Sequence, residues 1–171
     1  MDAKRDIDYR DAFLPTMEGL SRAGALLVAA DSQGRASGMT IGWGSIGIIW
    51  RLPVFTVLVR HSRNTLHLVE EAGDFTVNVL PPELDEALAY WGKVSGRDVD
   101  KWANSGLRPA PSRRVRSPIV EQGILHFECR VIYRGDMIPG NLQPDLVSKL
   151  YASGDYHRIY YGEILACYGA P

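Results

Sequence analysis

Neither sign of charge prevails in this sequence: nineteen lysines and arginines meet twenty aspartates and glutamates, for a formal charge of −1. A general binder of nucleic acid or of anionic membrane surfaces would carry a basic excess, so neither partner is expected. Cysteine is scarce. Its two copies, Cys129 and Cys167, give no disulfide framework and no metal-ligand spacing. Long apolar runs are missing too. Ala23 to Ala30 is the longest, whereas a helix that crosses a bilayer needs about 20 residues. Met1 to Asp11 is charged and has no apolar centre, so it does not read as a secretory signal. A cytoplasmic location is the expectation.

What is present suits one globular domain over residues 1–171, with 1–12 as an N-terminal extension. A chain of this size buries roughly 70% of its unfolded surface. Ala25–Ala30 reads as a strand closed by the turn Asp31-Ser32-Gln33-Gly34, and Ala36 to Ser45 as a glycine-studded return strand. Val54–Val59, entered through Leu52-Pro53, is β-branched and apolar. Phe75–Leu80, Ile124–Tyr133 and Tyr156–Tyr168 alternate as further strands. Helical spacing follows Asn64 as far as Gly73, and again on Leu84, Ala87, Leu88 and Trp91. Ser95 and Asp98 form a plausible capping box for a helix over Val99–Ala103. A short helix is expected within Leu142–Tyr151. Residues 106–118, with three prolines and four arginines, read as a surface loop. About six strands with helices inserted irregularly do not make a doubly wound sheet. A mainly β, antiparallel barrel with peripheral helices is predicted.

Two stretches carry chemistry. Arg60-His61-Ser62-Arg63-Asn64-Thr65 places two guanidinium groups and two hydroxyls where a strand empties into a helix N-terminus. Free amides, the helix dipole and paired Arg donors there suit a phosphate. The alternative is an ordinary turn in which Ser62 caps the helix and the arginines are solvated. Gly42-Trp43-Gly44-Ser45-Ile46-Gly47 spells the dinucleotide fingerprint, but Ile48, Ile49, Trp50 and then Pro53 follow, so no helix receives a pyrophosphate. Its glycines either let a flat ligand lie against the backbone or merely bend a barrel strand.

Read together, Met39–Ser45, Arg60–Thr65, Phe75–Val79, Ser95-Gly96-Arg97-Asp98 and Gly154–Ile164 resemble the flavin reductase-like family of FMN-binding split-barrel proteins. The resemblance implies a six-stranded antiparallel split β-barrel and a homodimer that holds flavin near the subunit interface. FMN is the implied cofactor, with FAD as the alternative and NAD(P)H as electron donor. By resemblance, Arg60, Ser62, Arg63 and Thr65 form the phosphate turn. Met39, Thr40, Ile41, Gly42, Trp43, Gly44 and Ser45 border the isoalloxazine, Ser95, Gly96 and Lys101 form a second flavin-contacting loop, and His157 lies near the flavin or nicotinamide face as the catalytic candidate. The implied activity moves hydride from NAD(P)H to flavin and on to a flavin, a redox partner protein or a small molecule. A flavoredoxin-like electron carrier without nicotinamide turnover, or a non-catalytic flavin binder, are the alternatives.

Other residues read as structural. His126 and Glu128 share a strand face without a third ligand, and His61 and His67 are poorly spaced for a metal. Glu163 reads as a structural hydrogen-bond or ion partner rather than a catalytic acid, and Cys129 as packing. Trp91, where many relatives carry a small residue, either narrows the pocket or fills the core.

Overall fold

Strand alternation sets the architecture, seen in a computed structural model that describes residues 4–170. Residues 1–3 of the expected extension and residue 171 lie outside the described residues. In chain order the elements are β1 (Arg5–Asp6), α1 (Phe13–Arg22), β2 (Ala25–Ala30), β3 (Ala36–Ile41), β4 (Gly44–Ile49), β5 (Leu52–Arg60), α2 (Asn64–Ala72) and β6 (Asp74–Val79). There follow α3 (Asp85–Lys93), α4 (Lys101–Ser105), β7 (Pro109–Ala110), β8 (Ile119–Val120), β9 (Leu125–Asp136), α5 (Pro144–Leu150) and β10 (His157–Gly169).

The main sheet is antiparallel and runs β3-β2-β6-β9-β10-β5-β4, with β1 on the far end of β10. If flat, it would hold its outer strands roughly 29 Å apart at ~4.8 Å per strand. Yet β3 and β4 are joined by Gly42-Trp43 alone. The sheet must therefore curl until its edges adjoin, which produces a barrel split along that seam. Phe55, Val57, Val59, Phe75, Val77, Phe127 and Tyr160 fill the inside, closed by Leu20 of α1 and by Leu66 and Val69 of α2. A second apolar layer lies outside, where Leu26 and Val28 meet Leu88 and Trp91 of α3. Both faces of β2 are thus covered, which accounts for its unbroken apolar run.

The mainly β split barrel agrees with the sequence reading, and several details differ from it. Among the described residues the main sheet has eight strands rather than six. One reason is that Ala36–Ser45 is not a single strand: the chain turns at Gly42-Trp43 and starts β4 at Gly44. The other is that Arg5–Asp6 of the extension pairs with Tyr168 and Gly169. The Val99–Ala103 helix is instead Lys101–Ser105, capped by Asp100, whose side chain accepts from the Trp102 and Ala103 amides. Ser95 closes its own turn, accepting from the Arg97 amide at 3.2 Å. Residues 106–118 contain β7, which pairs with β8, so the loop is partly a ribbon.

Candidate functional site

The last residue of β5 and the first of β10 are register partners, so Arg60 and His157 emerge together at one end of the barrel. Four residues after Arg60, α2 begins. Its N-cap is Arg63 in an extended conformation, without a side-chain cap bond. Ser62 therefore does not cap the helix. Its hydroxyl donates instead to Asp155 Oδ2 at 2.6 Å, and its amide donates to Oδ1 at 3.2 Å. The amides of Asn64 and Thr65, first in the helix, have no backbone acceptor among the described residues. That leaves the donor end of α2 facing outward.

It faces a cavity of about 360 Å³ bordered by Arg60, Ser62, Arg63, Thr65 and, from the loop after α3, Ser95 and Gly96. Lys93, Arg97 and Lys101 add positive charge, against the carboxylates of Asp98 and Asp155. This surplus of cations with a helix N-terminus suits a dianion in charge and in donors. The arginines are held from behind. Arg60 donates to the carbonyls of Asp155 at 2.5 Å and Leu150 at 3.1 Å, and Arg63 to Gly92 at 2.8 Å. A guanidinium has five N–H donors, so each keeps some for a ligand. Lys101 is 4% exposed, and its ammonium donates to Gly38 and Trp91 carbonyls at 2.7 and 2.9 Å. Burial, with Arg63 nearby, lowers its pKa to about 8.

A smaller cavity of about 160 Å³ adjoins the first, and Met39, Arg60 and Arg63 border both. Its wall runs through Thr40, Ile41, Gly42 and Trp43 to His157. A Cβ at Gly42 would meet nothing within 4 Å, so the backbone there is open. At Gly44 a Cβ would lie 2.9 Å from the Thr56 carbonyl oxygen. Close packing against β5, not ligand access, requires that glycine. Ser45 is exposed on β4 opposite Thr56, and neither it nor Gly44 borders these two cavities. Trp43 is 40% exposed with its ring 5.1 Å from the imidazole of His157. Burial and then the charge of Arg60 depress the His157 pKa to about 4.

Thirteen of the fifteen residues singled out from sequence thus border one pair of joined cavities. Asp155 and Tyr151 were missed, although Asp155 holds Ser62 and Tyr151 lies 2.8 Å from His157 Nδ1. No periodicity marks them. They belong to the irregular stretch between α5 and β10, and Gly154, at φ 79, is the only local signal of a special turn there.

The remaining residues have structural partners. His126 Nδ1 lies 2.8 Å from Asn78 Oδ1, and Glu128 accepts from the Arg113 and Arg114 amides at 2.8 and 2.6 Å. Glu163 accepts from Arg130 at 2.5 Å. Trp91 is fully buried and packs edge-on against Trp102 at 4.6 Å, so it fills the core.

Residues 17–171 match the flavin reductase like domain. An uncharacterized protein of Archaeoglobus fulgidus is 28% identical over 127 residues, which is 74% of this chain and 62% of that one. The chain therefore spans about three fifths of this curated relative's length. Among solved structures, a flavoredoxin from Methanosarcina acetivorans is 27% identical with a TM-score of 0.67, over 86% of this chain and 69% of its own. An NADH:FAD oxidoreductase from Streptomyces globisporus has a TM-score of 0.66 at 16% identity, over 100% of this chain and 90% of its own, and shares the fold.

Proposed function

We propose, for a chain that belongs to the flavin reductase-like domain family, that it binds FMN and serves as a cytoplasmic NAD(P)H-dependent flavin reductase. The observation that carries this reading is the junction of the two cavities at Met39, Arg60 and Arg63. One is cationic and opens on a helix N-terminus, and the other has a bare backbone wall at Gly42. A molecule with a phosphate at one end and a planar ring at the other matches both.

Arg60, Arg63, Thr65 and the first amides of α2 would hold the phosphate, with Ser62 set in place by Asp155. Lys101 and the Ser95-Gly96 loop close the opposite side. The Thr40–Trp43 backbone would border the ring and leave its other face open. FMN, when bound, supplies the hydride chemistry. The chain's part is to anchor, orient and keep one polar group, His157, at the rim. FAD would place the same phosphate and ring alike. The proposed homodimer would bury the outer face of β9 and β10 together with the β4–β5 turn, where Trp50 and Tyr133 are 64% and 45% exposed and meet edge-on at 6.2 Å.

A charge-assisted hydrogen bond contributes roughly 1.5–3 kcal/mol. Arg60→Ala and Arg63→Ala are each expected to weaken FMN about 10- to 100-fold in a fluorescence titration. Wild-type affinity in both variants would refute the phosphate assignment. The flavoredoxin at 27% identity favours a second reading, an electron carrier reduced by a protein partner. Steady NADH or NADPH consumption with added FMN selects the reductase. A flavin that stays bound and oxidised under excess nicotinamide selects the carrier.

A further inference from the structure

Tyr151, which follows α5, brings its Oη within 2.8 Å of His157 Nδ1. The phenol is 4% exposed, stacked on Tyr156 at 4.8 Å, and the Arg60 guanidinium lies 5.1 Å from its ring centre. Such packing from both sides fixes where the hydroxyl sits. A phenol carries one proton, and a buried donor without an acceptor is costly. Among the described residues, Nδ1 is the one hydrogen-bond partner of that hydroxyl. Were Nδ1 protonated, the Tyr151 O–H would have nothing to donate to. The opposite assignment satisfies both groups: the O–H donates to Nδ1, and the single imidazole proton stays on Nε2.

The surroundings keep both groups neutral. Burial pushes the Tyr151 phenol up, and burial with Arg60 holds His157 down at about 4. Among the described residues His157 Nε2 has no hydrogen-bond partner, and it is not sealed from solvent. It therefore opens on the smaller cavity that His157 borders.

We infer that Tyr151 is a positioning residue that locks His157 as the Nε2–H tautomer and so presents a neutral N–H donor to an acceptor atom of the ring bound beside Gly42 and Trp43. The nature of that acceptor, a carbonyl or ring nitrogen of flavin or nicotinamide, rests on the reading proposed above. The tautomer does not.

The test begins with imidazole 15N–1H correlation spectra of the ligand-free wild-type protein near pH 7. The expected pattern for His157 is a protonated Nε2 with Nδ1 shifted as a hydrogen-bonded acceptor. A protonated Nδ1 overturns the inference, whether or not any flavin binds. In Tyr151→Phe the Nδ1 signal is expected to lose its hydrogen-bond shift. FMN affinity should stay within about twofold and kcat for NAD(P)H oxidation should fall about tenfold, with KM little changed. Unchanged spectra and unchanged kcat in that variant overturn it as well. Should the variant not fold, the wild-type spectrum alone decides. Failure of wild-type protein to bind FMN would count against the proposed function and leave the tautomer result standing.

Discussion

Gly42 and Gly44 flank Trp43 and meet opposite surroundings, which separates a ligand-facing glycine from a packing one. A side chain at Gly42 enters open space beside the smaller cavity, whereas at Gly44 it presses on a backbone carbonyl of β5. Backbone cannot swing aside as a side chain can, so overpacking there costs about 1–3 kcal/mol. Gly44→Ala is expected to lower the urea midpoint accordingly. Gly42→Val should leave the midpoint unchanged and weaken FMN more than about tenfold, because the branched side chain occupies the wall on which the ring would rest. Wild-type flavin affinity in Gly42→Val would show that the ring lies elsewhere. From the sequence the two readings of these glycines were equally open. Only the approach of β5, set by tertiary register, divides them. Ser62 shows the same limit: its partner Asp155 lies 93 residues away in the chain, where no local pattern can point.

At the scale of elements, the β4–β5 hairpin turns on Trp50-Arg51 with φ of 51° and 63°. Such two-residue turns normally use Asn-Gly, because L side chains clash in the left-handed region at about 1–2 kcal/mol per residue. Arg51→Gly is therefore expected to raise the unfolding free energy by about 1 kcal/mol, read as a higher urea midpoint. Trp50→Asn suits the same turn but removes the ring that meets Tyr133 and Tyr161. If that face pairs two copies, sedimentation should show the Trp50→Asn dimer at least about tenfold weaker, and an unaltered dimer would move the interface elsewhere. β5 and α2 were legible because β-branched residues gave way to helical spacing that ends at Gly73, a left-handed cap at φ 68. α1 was not. Phe13–Arg22 contains Pro15 and Gly19, so its helix rests on burial of Thr16 and Leu20 rather than on propensity.

Across the whole molecule, the barrel assembles its candidate site at one end and anchors the chain's N-terminal stretch toward the other. Lys4 donates to the Glu121 carbonyl at 2.8 Å and contacts His126 Nε2. Asn78 Oδ1 and the Gly123 carbonyl oxygen, which can only accept, lie 2.8 and 3.0 Å from His126 Nδ1 and Nε2, and the Lys4 ammonium also faces Nε2. Burial foremost, then Lys4, lowers the His126 pKa to about 3, and His157 lies at about 4. Two buried neutral histidines at separate places thus give the fold one shared sensitivity. In the unfolded chain both titrate near about 6.5, so between there and their folded values the unfolded state holds more protons. Their contribution is full above that unfolded value and is lost as pH falls toward 4. Each can contribute a slope of at most about 1.4 kcal/mol per pH unit. Urea midpoints should accordingly drop steeply from pH 7 to pH 5. In His126→Gln, which retains a donor for Asn78, the slope should fall by about half. A flat midpoint over that range would mean that water reaches both rings and that neither is held neutral by the barrel.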